Sequence, residues 1–126
     1  MSTSPDGYQP PQSREELLER YARGERFFPN TDLEEADFSG AALDGASFES
    51  SSWFHSANFA GASLRGVSFR ECNVKCVDFR NADLSGASFD RALVDGANFE
   101  GAALAGASFI GAGWYGVTIA EGDKFP

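Results

Sequence analysis

The chain has little of what most functional chemistry requires. Its 126 residues include one His, two Cys, one Met and five Pro. Cys72 and Cys76 make no disulfide framework and suit a reducing compartment. One histidine and two cysteines outside any ligand motif offer no metal set, so neither a metal nor another cofactor is expected. Lys and Arg total 10 against 19 Asp and Glu, and the formal charge of −9 disfavours direct nucleic-acid binding, which needs a cationic surplus. No apolar run nears the roughly 20 residues that span a bilayer. The opening MSTSPDGYQPPQ has neither the basic nor the apolar segment of a secretory leader. A cytoplasmic location without membrane contact is therefore expected. Catalysis lacks its parts as well. The serines mostly stand at outward positions with no base beside them, and no glycine cluster follows a strand and opens a helix as a phosphate loop does. The exposed carboxylates give no reason for a perturbed pKa. No enzyme and no catalytic residue are expected.

What the chain does have is a beat of five. Phe59, Leu64, Phe69, Val74, Phe79, Leu84, Phe89, Val94, Phe99, Leu104 and Phe109 form one unbroken series. Phe28, Leu33, Phe38, Leu43 and Phe48 form an earlier series, one residue out of step with it. A helix repeats about every 3.6 residues and a strand every two, so neither generates this spacing, and the chain must be a coil of equivalent corners. Around each large residue, here called the centre, the pattern is constant. A small residue such as Ala36, Ala57 or Cys72 stands two positions before it, and Gly stands two after it in ten places from Gly40 to Gly116. Positions two apart in extended backbone share a side, so the small residue and the centre both point inward. Gly relieves the corner that follows. Asp, Asn or Ser just before the centre faces out and can hydrogen-bond a neighbouring turn.

Phe alternates with Leu or Val at successive centres, so the larger pattern repeats every ten residues. Four sides per coil would stack Phe38, Phe59, Phe79 and Phe99 on one face and Phe48, Phe69, Phe89 and Phe109 on the opposite one. A three-sided coil would mix Phe with Leu on every face and pack less uniformly. Before the repeats, residues 1–12 read as a mobile tail. Ser13 and Glu16 form a capping-box pattern, and Gly24 stops the helix they open over about 14–23. A helix this short is marginal alone, so it is expected to cover the open first coil. The expected layout is a tail over 1–12, a capping helix over 13–25, repeats over 26–120 and a tail over 121–126. Phe125 folding over the last coil, or two molecules meeting end to end, are the two ways to close the far end.

NADLSGASFD (81–90), GANFEGAALAGASF (96–109) and ADFSGAALDGASF (36–48) resemble the Ala-Asp/Asn-Leu/Phe-x-Gly pattern of the pentapeptide-repeat family. The resemblance runs over most of the chain, and GERFF after the helix resembles the family's N-terminal cap. It implies an all-β solenoid, a right-handed quadrilateral β-helix. At the usual strand spacing of ~4.8 Å this chain would make about 4.75 coils, a stub about 23 Å long.

Wrapped on four faces, the charges also take order. Arg65, Arg70, Lys75 and Arg80 follow four successive centres, one per face. Acids lie above and below them: Glu49 and Asp90 around Arg70, Asp44 beside Arg65, Asp95 beside Lys75 and Glu100 beside Arg80. Such rungs predict cross-coil ion pairs that set register. Between Phe48 and Phe59 the beat slips by one residue within ESSSWFHSA (49–57), which predicts a bulge. Trp53 keeps the earlier register and Phe54 the later, so one is inward and the other is pushed toward solvent with His55. Leu93, where Asp, Asn or Ser is usual, and Tyr115 would join it in an apolar wall, with Ile110 as a further outward apolar residue. Trp53, Phe54, His55, Leu93, Ile110 and Tyr115 are the candidate interaction surface. Cys72 reads as an inert buried thiol.

Two functions compete. One is a non-catalytic scaffold or interaction module whose protein partner the sequence does not name, acting as a monomer or an end-to-end homodimer. The other is implied by the family resemblance, some members of which protect topoisomerases such as gyrase by imitating DNA as an acidic rod.

Overall fold

The computed structural model describes residues 7–114 and 117–118. From Phe27 onward the backbone advances by short extended sides joined at corners. The outward residue of each side bridges in parallel to its equivalent one coil later: Asn58 to Asp78, Asp78 to Asn98, Ser63 to Asp83, Ser68 to Ser88. Partners are 20 residues apart in these pairs, and 21 where the bridge crosses the insertion, as from Asp37 to Asn58. The centre's N–H donates across coils (Phe59 to Asp78 O, 2.8 Å), and the corner closes on the centre's own carbonyl (Ala62 N–H to Phe59 O, 3.0 Å). At that corner Gly61 takes φ +68°, the left-handed value that the third residue of a type II turn requires. The outward Asp or Asn secures the same corner from within its repeat. Asn58 Oδ1 accepts from Ala60 N at 2.8 Å, and Asp78 Oδ1 from Arg80 N at 2.9 Å.

The result is a right-handed quadrilateral β-helix. Its first face carries Phe28, Phe48, Phe69, Phe89 and Phe109 at the centres, and its third carries Phe38, Phe59, Phe79 and Phe99. Each set stacks near-parallel: Phe89 and Phe109 lie 4.9 Å apart at 4°, Phe38 and Phe59 5.1 Å apart at 11°. The two stacks then meet edge to face across the axis, as Phe79 and Phe89 do at 5.4 Å and 81°. The fourth face is lined by Leu43, Leu64, Leu84 and Leu104. The second holds Leu33, Phe54, Val74 and Val94. Each buried Phe contributes about 1.5–3 kcal/mol through area alone, with ring geometry adding about 0.5–1.5 kcal/mol per pair.

The N-terminal end is closed as the sequence predicts. Helix α1 spans Arg14–Ala22, with Ser13 Oγ accepting from Glu16 N at 3.0 Å. Glu16 returns its carboxylate to Gln12 N at 2.9 Å, one residue ahead of the usual capping-box donor. Leu17 is fully buried against the first coil. Arg20 bolts the cap in place. Its guanidinium pairs with Glu25 at 2.6 Å and Glu16 at 3.2 Å, and lies 5.6 Å from the Phe28 ring that starts the first stack. The expected mobile tail differs within its described part. Tyr8 Oη donates to Pro29 O at 2.9 Å, and Pro11 is buried.

The far end departs from the expected regular coil through residue 120. Gly113 still bridges Leu93 in parallel, but β1 (Gly113–Trp114) then pairs antiparallel with β2 (Val117–Thr118). Antiparallel pairing satisfies the backbone locally where the next side would have continued the coil. Phe125 and the expected tail over 121–126 lie outside the described residues.

Phe54 is the tightest test of this core. Its ring meets Phe48 at 5.0 Å, Phe59 at 5.6 Å, Phe69 at 6.0 Å and Phe38 at 6.4 Å, all edge to face. Phe54→Ala is expected to cost about 3–5 kcal/mol in urea unfolding, the range for a buried Phe truncation. An unchanged midpoint would contradict the packing.

Candidate functional site

The inserted residue sits in one corner. Ser50 and Ser51 are both left-handed, at φ 77° and 66°, where every other described corner has a single such residue. The second left-handed residue absorbs the slip, and Ser52 turns inward, fully buried. Its Oγ accepts from Thr31 N at 3.0 Å. Alternation then puts Trp53 outside and Phe54 at the centre, with no exposed surface. Phe54 therefore leaves the candidate interaction surface: it is a core residue, and Trp53 is the displaced aromatic.

Trp53 opens a ladder along the second face. It bridges to Asn73, Asn73 to Leu93, and Leu93 to Gly113. Trp53 and Leu93 are each 42% exposed, and between them Asn73 forms the floor of a notch of about 410 Å³. The two apolar walls are two rungs apart, about 9.6 Å. Asn73 is only 7% exposed. Its Oδ1 accepts from Lys75 N at 3.0 Å, while its amide N–H₂ has no partner among the described residues. His55 stays beside Trp53, their rings 6.4 Å apart at 22°. Ile110 is exposed but stands on the first face, its N–H donating to Asp90 Oδ1 at 2.9 Å, and does not line the notch. Tyr115 lies outside the described residues. The structure thus unites Trp53, His55 and Leu93 and separates Phe54 and Ile110 from them. Behind the notch, Cys72 is buried, its thiol donating to Phe48 O at 3.0 Å. Burial pushes the Cys72 thiol up to about 12.

The charged rungs differ from the expected cross-coil ion pairs. Asp44 accepts from Ser63 Oγ at 2.6 Å and from Arg65 N at 2.9 Å, and Glu49 accepts from Ser68 Oγ at 3.0 Å. Asp90 accepts from Ser108 Oγ in the same manner. A short acid at a corner reaches the outward hydroxyl of the next coil before it reaches a long cation's head. Arg80 turns back to Asp78 in its own repeat at 2.8 Å, with Glu100 a weaker influence. Cross-coil pairs do form at Arg91–Glu71 (3.8 Å) and, diagonally, Arg65–Asp83 (3.9 Å). The first of these borders the notch.

A further signal comes from the corners. Nine residues other than Gly hold positive φ: Asn30, Glu35, Ser50, Ser51, Ser56, Glu71, Cys76, Asn81 and Arg91. All but Asn81 flank the second face, on one edge or the other, whereas the corners between the third and fourth faces are glycines (Gly40, Gly61, Gly101) apart from Asn81. A side chain in this conformation costs about 1–2 kcal/mol relative to the right-handed one, and Gly avoids it. The face with the apolar notch is thus the face whose edges keep side chains at conformational cost. The sequence carries this pattern as missing glycines, visible only after the repeats are wrapped in fours.

Among the described residues no group of three or more His, Cys, Asp or Glu is placed to hold a metal ion, and no helix is long and apolar enough to cross a membrane. Architecture and corner chemistry together define a quadrilateral β-helical solenoid protein. A model described as pentapeptide repeats (9 copies) matches residues 59–103 and one described as pentapeptide repeats (8 copies) matches residues 27–52, and the chain belongs to the pentapeptide-repeat family. No curated protein matches it. Among solved structures it is similar to full-length QnrB1, a plasmid-mediated fluoroquinolone resistance protein, with 25% identity and a TM-score of 0.56 over 68% of this chain and 50% of that one. A pentapeptide repeat protein of the Arabidopsis thaliana thylakoid lumen shares 35% identity over 64% of this chain and 63% of its own, with a TM-score of 0.45. The chain spans about half the length of the QnrB1 chain it matches.

Two outcomes follow from this geometry. Between about pH 9 and 12 an unfolded chain ionises Cys72 while the folded one keeps it protonated. The folded state then binds more protons, so stability falls as pH rises, by up to about 1.4 kcal/mol per pH unit. Urea titrations of the wild type and Cys72→Ala across this window should show the slope shrinking in the variant; equal slopes would contradict the assignment. At the corners, Glu35→Gly and Cys76→Gly relieve about 1–2 kcal/mol of strain against about 0.5–1 kcal/mol of added unfolded-state freedom. Thermal melts should show Tm unchanged or raised, and a clear fall would mean the side chains are held for the fold itself.

Proposed function

We propose that this chain is a non-catalytic scaffold that engages a protein partner through its second face, in the cytoplasm. The observation that carries the reading is that two features fall on one face. The one face with a Trp–Asn–Leu notch is also the face whose edges retain strained, non-glycine corners. Backbone strain clusters where surrounding structure sustains it for function. An aromatic and an aliphatic wall around a buried amide also match the composition of interface cores. The rigid stacks behind the face fix the positions of its side chains, so little ordering entropy remains to oppose association.

Topoisomerase protection by an acidic rod is the second reading. Its support is the charge of −9 and the likeness to QnrB1, over half of that protein's length. Against it, Arg65, Arg70, Lys75 and Arg80 place cations on all four sides of the middle coil, which interrupts any continuous acidic surface.

The test is a quantitative affinity capture from native cytoplasm with wild type and Trp53→Ser/Leu93→Ser. The variant should keep the wild-type circular dichroism spectrum and lose at least one captured protein by about tenfold, the scale of removing one modest hot spot. Identical capture profiles would overturn the proposal.

A further inference from the structure

The second face carries an electrostatic pattern that selects its own copy. At the level of Asn73, one rim holds Glu71 and the other Lys75. One rung on, at the level of Leu93, the first rim holds Arg91 and the other Asp95. The first rim therefore reads minus then plus, and the second plus then minus. Glu71 and Arg91 pair along their rim at 3.8 Å, which holds that alternation in place.

We propose that two copies of this chain associate face to face through the second face, about a two-fold axis parallel to the solenoid axis. The inference rests on reading this face as a docking surface. Such an axis lays each copy's first rim over the other's second rim at the same rung. Glu71 then meets the partner's Lys75, and Arg91 the partner's Asp95, twice over by symmetry. Trp53 meets Trp53 and Leu93 meets Leu93, with the two Asn73-floored notches facing one another between them. A two-fold along the strands and through the Asn73 rung would lay Glu71 on Glu71 and Lys75 on Lys75. Like charges directly opposed cost several kcal/mol across an interface, which disfavours that axis. One midway between the Asn73 and Leu93 rungs would pair Glu71 with Arg91 and Lys75 with Asp95, and is told apart because the rim variants below leave its pairs complementary. Asp32, one rung below Trp53, would face its own copy and so bounds the contact at three rungs.

A patch of five residues by three rungs measures about 16 Å by 14 Å. This is well short of the ~800 Å² per partner of a standard interface, so the dimer is a weak one that forms only at high protein concentration.

Charge inversion of one rim at a time provides the test, because each inversion keeps the alternation along the rim. Sedimentation velocity is run from about 10 to about 500 µM, a range in which a weak dimer is populated. Wild type should pass from monomer to dimer. Glu71→Arg/Arg91→Glu makes both rims read plus then minus, and Lys75→Glu/Asp95→Lys makes both read minus then plus. Each should raise the dimer Kd by at least about tenfold through like-charge opposition. An equimolar mixture of the two variants restores complementarity on both rims and should form a heterodimer at the wild-type midpoint. A wild-type chain that stays monomeric, rim variants that still self-associate, or a mixture that stays monomeric would each overturn the proposal. If these fail while Trp53→Ser/Leu93→Ser still loses a captured protein, the face docks a different partner and only self-association is wrong.

Discussion

A chain that turns a corner every five residues must place one residue per corner in the left-handed region, and the rest of the molecule depends on that constraint. Glycine meets it without strain at Gly40, Gly45, Gly61 and Gly66. The sides between corners are then too short for ordinary strands, so their stability comes from neighbours one coil away. The N–H of each centre donates across the coil boundary, and each inward Phe lies on the Phe of the next coil. Corners set the side length, side length sets the twenty-residue rung, and the rung lets the rings stack. Because every rung binds only its neighbours, a local fault is felt chiefly by adjacent coils.

Against this uniform background, departures carry meaning. The second face differs from the others in three linked ways: an extra residue in its leading corner, an apolar notch in its middle and side chains where glycine would be less strained. The first difference creates the second, since two successive left-handed serines shift alternation and turn Trp53 outward. The third begins at that corner and extends beyond it, to Asn30, Glu35, Ser56, Glu71, Cys76 and Arg91.

Much of the architecture was legible because the same chemistry recurs at a fixed interval. The two Phe stacks and the aliphatic faces follow from the alternation at the centres, and the capping helix from Ser13 and Glu16. Where the sequence offered two residues of one kind, it left the choice open. Trp53 and Phe54 are both large and aromatic, and only the position of the extra residue, in the corner at Ser50–Ser51, decides between them. The charged rungs read less well. Linear order shows which face a charge occupies but not how far its side chain reaches, and Asp44 stops at the hydroxyl of Ser63. Asn73 was invisible as a site residue because Asn is ordinary just before a centre. Its burial comes from Trp53 and Leu93, each twenty residues away.

The inserted residue also removes an ambiguity inherent to repetition. Four faces with similar pentapeptides would pack nearly as well if one part of the chain slid along the other by a whole side or a whole coil. Such degenerate alternatives compete with the native state even when each is locally well formed. At Ser50–Ser51 the spacing is 21 rather than 20, and Phe54 fits only where Phe38, Phe48, Phe59 and Phe69 surround it. A slipped arrangement would leave the extra residue inside a side. The irregular corner thus breaks the translational symmetry of the solenoid and gives a periodic chain one origin from which every other rung is counted.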